Sequence, residues 1–145
     1  NIKVKFIGDF NEPHLDDEIL TLIADAEKNS ENATGMHLNI ALNYGGRQEI
    51  TDAVKIVAEK VAKKEICAND ITEEVIADNL YTSGQPYPDL IIRPSGEYRL
   101  SNFLIWQSAY AEFWFSDVLW PDFKPKHLDK AIEDYSMRNR RFGGI

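Results

Sequence analysis

Segments whose apolar residues fall on every second position stand between segments whose apolar residues recur every third or fourth. That alternation leaves few folds open. Ile2, Val4 and Phe6 alternate with Lys3 and Lys5, the pattern of a half-buried strand, which ends at Gly8-Asp9. The next stretch, NEPHLDDEILTLIADAEKN, spaces Leu15, Ile19, Leu22, Ile23 and Ala26 as one helix face, with Pro13 and acidic residues where a helix begins. MHLNIALNYGG predicts a second strand, broken at Gly45-Gly46. RQEITDAVKIVAEKVAKK predicts a helix that turns Ile50, Val54, Val57 and Val61 inward. Asp70 with Glu73 has the spacing of a capping box for a short helix, ITEEVIADNL.

After the turn SGQPYP, the nearly continuous apolar run DLIIR predicts a strand covered on both faces. LSNFLIWQSAYAEF predicts a helix, with Leu100, Leu104, Trp106 and Ala109 inward, and EFWFSDVLW a further strand. PKHLDKAIEDYSMRNRR predicts a closing helix ended by Gly143-Gly144. Strands alternating with helices imply an α/β fold, a mostly parallel sheet with helices on both faces, here a single domain over residues 1–145.

Composition sets outer limits. Sixteen Lys+Arg against 24 Asp+Glu give a formal charge of −8, which argues against broad nucleic-acid binding. The one cysteine, Cys67, excludes an internal disulfide and reads as a small side chain in a reducing compartment. No apolar run reaches the ~18–20 residues of a membrane span, and no signal peptide is visible. A cytoplasmic protein, at most peripherally attached to a membrane, is expected. The chain opens on Asn1 without methionine, which suggests a fragment or a processed product.

In parallel sheets ligands bind beyond the carboxyl ends of the strands. There this sequence concentrates its polar and glycine-rich clusters: Gly8-Asp9, Asn43-Tyr44-Gly45-Gly46-Arg47 and Arg93-Pro94-Ser95-Gly96. Within IIRPSGEYRLSNFLIWQ, Arg93 and Arg99 flank a Ser-Gly turn. A planar guanidinium gives paired, charge-assisted hydrogen bonds to phosphate, and two of them suffice for micromolar affinity. Ser101 adds a hydroxyl at the start of the expected helix, whose free amides also favour an anion. The plainer alternative is that Ser101 only caps that helix and Arg99 pairs with Glu97. Glu112, an acid among aromatics, needs a partner. Either an arginine such as Arg93 or Arg99 pairs with it, or it holds a hard cation that also touches phosphate. NYGGR lacks the spacing of a phosphate loop, and His14, His37 and His127 show no metal-ligand spacing. The aromatic strand Phe113–Phe115 is apolar enough to require cover by a second subunit.

Three stretches together resemble the cis-prenyltransferase family, and within it the bacterial undecaprenyl diphosphate synthases. They are LNIALNYGGRQEI, DLIIRPSGEYRLSNFLIWQSAYAEFWFSDVLWPDF and RNRRFGG. The resemblance implies that Arg93, Arg99 and Ser101, with the backbone of Leu100, cradle the diphosphate of isopentenyl diphosphate, and that Glu112 helps to hold Mg²⁺. It implies that Arg141, Gly143 and Gly144 reach into the site of a partner subunit, hence a homodimer. The implied reaction adds isopentenyl diphosphate repeatedly, in cis configuration, to farnesyl diphosphate. The product is undecaprenyl diphosphate, precursor of the lipid carrier for cell-wall polysaccharides. Met36 is placed by the same reading toward the closed end of a tunnel for the growing chain.

Two features depart from the family pattern. The DGNGRW stretch, with its metal-binding aspartate and allylic site, and the NW.RP stretch are absent, so the chain resembles the C-terminal part of such an enzyme and is expected to be inactive alone. Tyr98 stands where some relatives place a histidine near the metal. A non-catalytic diphosphate-binding or dimerisation subunit is the alternative reading.

Overall fold

The computed structural model describes residues 1–10 and 15–139. The chain divides into two compact units, Asn1–Gln85 and Pro86–Ile145.

In the first unit, β1 (Ile2–Ile7) pairs in parallel with β2 (Met36–Ala41), with Ile2 opposite Met36 and Ile7 opposite Ala41. Burial in β1 rises along the strand instead of alternating: Ile2 and Lys3 are exposed, Val4, Lys5 and Phe6 half-buried and Ile7 buried, with Lys5 Nζ donating to Tyr81 O at 2.7 Å. Gly8 ends β1 because nothing larger fits: its φ is +151°, and a Cβ there would lie 1.8 Å from the Leu42 carbonyl oxygen. α1 (Asp17–Ser30) carries Asp17 and Glu18 in its first turn, where the helix dipole favours them. Its far end closes the outer edge of β1. Ser30 Oγ accepts from the Val4 amide at 3.0 Å and Glu27 Oε1 from the Phe6 amide at 2.7 Å. Backbone donors that a neighbouring strand would take are thus satisfied by side chains.

α2 (Gly46–Ala62) buries Gly46, Glu49, Ala53 and Val57. Of the four residues expected inward, Val57 is buried, Ile50 and Val61 are half-buried and Val54 is exposed. The inward stripe is displaced because it contains a carboxylate that no hydropathy pattern would place inside. α3 (Glu73–Ala77) is capped by Thr72, whose hydroxyl accepts from the Val75 amide, and not by Asp70. Asp70 instead accepts from the Cys67 amide and closes a tight turn over Ala68–Asp70.

In the second unit, β3 (Leu90–Arg93) pairs in parallel with β4 (Glu112–Phe115), Leu90 opposite Glu112 and Arg93 opposite Phe115. Of β3 only Ile91 is buried, its neighbours half-buried. The long strand expected over residues 112–120 stops at Phe115, and Trp120–Asp122 form a tight turn. α4 (Pro125–Ser136) opens on proline at its first position, with His127 Nδ1 accepting the Lys124 amide at 2.9 Å. It ends at Ser136, short of the glycines expected to end it. Trp114 Nε1 donates to Asp134 Oδ2 at 2.8 Å and holds α4 on β4.

The helix expected from Leu100 onward is not formed. Ser101, Asn102 and Leu104 have φ of +53°, +64° and +44°, a hand that a right-handed helix excludes. Residues 100–110 form successive tight turns, with Phe103 N donating to Leu100 O at 3.1 Å and Ala111 N to Ser108 O at 3.0 Å. Gln107 and Ser108 are buried there, while Ala109, expected inward, is exposed. Among the described residues the strands thus form two two-stranded parallel sheets.

Candidate functional site

β3 delivers Arg93 at its carboxyl end, and the chain then turns back. Ser95 (φ +72°) and Gly96 (φ +65°) make the reversal. Their amides donate to Val118 O and Ser116 O, both at 2.9 Å, which pins the turn to the segment after β4. Arg99 and Leu100 follow on the returning chain. A cleft of about 250 Å³ results, lined by Ile91, Ile92, Arg93, Pro94, Arg99, Leu100, Phe103 and Phe113.

Arg93 and Arg99 therefore line one cleft whose other lining residues are apolar. Arg93 Nη2 donates to Ser101 Oγ at 3.4 Å, a long bond. Its Nε is buried and finds no hydrogen-bond partner among the described residues, a donor left unspent beside the cleft. Arg99 pairs with Glu97 in an exposed contact, the plainer alternative weighed for it. Because no helix starts at Ser101, the contribution expected from free helix amides falls away. The left-handed backbone at Ser101 and Asn102 costs on the order of 1–2 kcal/mol per residue. Such strain tends to sit at functional sites, where the surrounding structure over-determines it.

Glu112 does not line this cleft. Its Oε2 accepts from Arg138 Nη1 at 2.7 Å, so its partner is an arginine, but neither of the two proposed from sequence. The strand register puts Glu112 opposite Leu90, three residues or ~10 Å along the ladder from Arg93. Strand alternation turns Glu112 to the face of Trp114, and Arg93 to the other face with Phe113 and Phe115. Within one chain, Glu112 and the two arginines do not share a site. Tyr98 is exposed, its ring 5.0 Å from that of Phe115. Arg141, Gly143 and Gly144 lie outside the described residues.

The first unit has a polar cleft of its own, about 270 Å³, lined by Asp9, Asn43, Tyr44, Gly45 and Gln48. Asn43, at φ +48°, donates from Nδ2 to Asp9 O at 2.8 Å, and Asp9 N returns a bond to Asn43 O at 3.1 Å. Beneath this turn, Glu49 is fully buried. It accepts from the Tyr44 hydroxyl and, at 2.8 Å, from the Tyr81 amide. The Tyr81 hydroxyl donates to Asp52 Oδ2 at 2.7 Å. That bond is the main reason the Asp52 carboxyl stays below its ordinary range, and burial, reinforced by Asp52, pushes the Tyr81 phenol up. Glu49, Phe103 and Arg138 were given no role from sequence, although each lies within one of the three stretches that carry the resemblance, and Phe113 was placed only on the strand expected to face a second subunit.

Among the described residues, no group of three or more His, Cys, Asp or Glu side chains is placed to hold a metal ion. None of their helices is long and apolar enough to cross a membrane.

Residues 1–143 match the prenyltransferase family model described as "Putative undecaprenyl diphosphate synthase". The chain is 50% identical over 147 residues to an isoprenyl transferase of Clostridium tetani, covering all of this chain and 56% of that protein. It is 52% identical over 149 residues to an isoprenyl transferase of Streptococcus pyogenes serotype M1, of which it covers 59%. Lavandulyl diphosphate synthase from Lavandula x intermedia, solved with dimethylallyl diphosphate, superposes with a TM-score of 0.94 at 38% identity. The match covers 99% of this chain and 61% of that one. A probable undecaprenyl diphosphate synthase from Campylobacter jejuni gives 0.81 at 32% identity, over 99% of this chain and 64% of that one. The chain thus spans little more than half the length of these curated relatives. The fold they share with it is α/β, with parallel sheets and helices on both faces.

Proposed function

Because this chain belongs to the undecaprenyl diphosphate synthase family of prenyltransferases, we propose that its arginine cleft binds isopentenyl diphosphate for cis-condensation onto farnesyl diphosphate. The product is undecaprenyl diphosphate, the cell-wall carrier precursor, and this chain supplies the isopentenyl half-site, working as a homodimer. One observation carries the reading: Arg93 and Arg99 face a cleft otherwise lined by Ile91, Ile92, Leu100, Phe103 and Phe113. A ligand with a diphosphate at one end and a short branched hydrocarbon at the other matches both halves of that surface.

In the reaction, the C1–O bond of the allylic diphosphate breaks. The isopentenyl double bond supplies the electron pair for the new C–C bond, and a proton leaves to restore the double bond. The chain's own contribution is positioning. Arg93 and Arg99 would hold the isopentenyl diphosphate through charge-assisted bonds, with Ser101 Oγ and the Leu100 backbone beside them. The apolar wall would keep water from the reacting carbons.

Mg²⁺ is the ion this family reading implies. A carboxylate is the right donor for it, but Glu112 is engaged by Arg138 and turned away from the cleft. The described residues do not by themselves build a site for the ion.

Calorimetric titration with isopentenyl diphosphate tests the proposal. Binding is expected, and Arg93→Ala should weaken it by roughly 10- to 150-fold, since a hydrogen bond to a charged group contributes about 1.5–3 kcal/mol. Equal binding by the folded variant would refute the assignment.

A further inference from the structure

Arg138 lies two residues beyond α4 and grips the first two residues of β4. Its Nη1 donates to Glu112 Oε2 at 2.7 Å and to the Phe113 carbonyl oxygen at 2.9 Å. The two charged side chains are 34% and 31% exposed, about half as open as that of Arg99. The Arg138 amide donates to Tyr135 O at 3.0 Å, which fixes the arginine to the end of the helix. The helix is itself fixed to β4 by the bond from Trp114 to Asp134, an acid held below its ordinary range chiefly by Lys130.

The strand's alternation gives this grip a consequence. Glu112 and Trp114 face one side of β4, while Phe113 faces the other and lines the arginine cleft. The carbonyl that Arg138 holds therefore belongs to the residue whose side chain forms part of the cleft wall. Among the described residues β4 has one ladder partner, and its start is held by the Glu112 amide, which donates to Asp89 O at 2.9 Å, and by this side-chain grip. Glu112 keeps the guanidinium over that carbonyl, because a carboxylate fixes an arginine's direction as well as its distance.

We propose that Glu112 and Arg138 are a positioning pair that braces the arginine cleft from the opposite face of β4. Glu112 then acts on ligand binding through Arg138 and the Phe113 backbone, not by holding an ion. The inference rests on the reading of the cleft as the isopentenyl diphosphate site.

The test is calorimetric binding of isopentenyl diphosphate to this chain, with EDTA and separately with Mg²⁺. Glu112→Gln, Arg138→Ala, Arg138→Lys and the Glu112→Gln/Arg138→Ala double variant are compared, with melting temperatures recorded. With EDTA, Glu112→Gln and Arg138→Ala should each weaken binding roughly threefold to tenfold. The double variant should be no worse than Arg138→Ala, because both changes remove one brace. Arg138→Lys should restore part of the affinity, a rescue that general destabilisation would not give. The proposal is overturned if Glu112→Gln matters only with Mg²⁺, since Glu112 is then an ion ligand. It is equally overturned if the two single effects multiply, or if Arg138→Ala folds and binds normally. Arg93→Ala separates the two ideas. If it binds like the parent chain, or the parent does not bind, the cleft assignment itself fails.

Discussion

Arg99 is already partnered, so a diphosphate entering the cleft must take it from Glu97. Replacing Glu97 with glutamine removes the competing charge and leaves the shape. The Arg99 and Glu97 side chains are 66% and 36% exposed, and an exposed pair of this kind contributes about 0.2–1 kcal/mol. Releasing it should therefore tighten diphosphate binding by roughly 1.4- to 5-fold at 25 °C. The gain should be larger at low ionic strength, where the negative charge of Glu97 also acts on the incoming anion. It should shrink above 0.1 M salt, where the Debye length is about 10 Å or less. Isothermal titration with isopentenyl diphosphate and with inorganic diphosphate, each at two salt concentrations, provides the measurement. Arg93→Ala in the same series should move affinity the opposite way and by more. Weaker binding of the Glu97→Gln variant at low salt would show that Glu97 orients Arg99 instead of competing for it. That result would refute the reasoning.

Further expectations concern the frame around the clefts. Glu49→Ala removes the acceptor of the half-buried Tyr81 amide and Tyr44 hydroxyl, at about 1–3 kcal/mol for each donor. Urea unfolding should show a loss of roughly 2–6 kcal/mol, with Glu49→Gln losing less; a loss under about 0.5 kcal/mol would contradict the burial. Tyr81→Phe removes the main cause of the lowered Asp52 pKa. A depressed carboxylate stabilises above its unfolded value and loses that stability as pH falls through the folded one. The raised Tyr81 phenol stabilises below its unfolded value, about 10, and loses that stability above it. The parent's advantage over Tyr81→Phe should therefore be level from about pH 5 to 9, and should shrink below about pH 4 and above about pH 10. A pH series of urea midpoints checks this. Ser101→Gly suits the left-handed backbone at φ +53° and removes the hydroxyl beside Arg93. Stability should hold or rise by up to about 1 kcal/mol, while diphosphate affinity falls a few-fold.

Elements with a clear apolar period were legible in the sequence, even where, as in β2 and α1, no residue is buried. β1, β2, α1 and α2 fall close to where the apolar spacing puts them. The stretch after Leu100 was not, because Leu100, Leu104 and Trp106 also fit a helical spacing. What decides the local structure there is the sign of φ at Ser101, Asn102 and Leu104, which side-chain hydropathy does not encode. Glu49 was missed for a related reason. A buried carboxylate looks like a surface residue until its donors, Tyr44 and the distant Tyr81 amide, are known. The need of Glu112 for a partner was readable from its aromatic surroundings. Which arginine answered it was not, since Arg138 lies 26 positions away.

The two arginines are only half of the candidate site. A chain of net charge −8 repels anions at long range, but at physiological salt that field is screened beyond about 8 Å. On the proposed binding mode Arg93 and Arg99 would act within contact distance, so the local charge would decide binding. Arginine alone would accept almost any phosphate. Discrimination would then come from the apolar residues lining the same cleft, among them Ile91, Pro94, Leu100, Phe103 and Phe113. Each buried CH₂ contributes about 0.8 kcal/mol, so full burial of the five carbons of an isopentenyl group could favour the prenylated over the bare diphosphate by up to about three orders of magnitude. The position of Phe113 thereby becomes part of specificity, and with it whatever holds the start of β4.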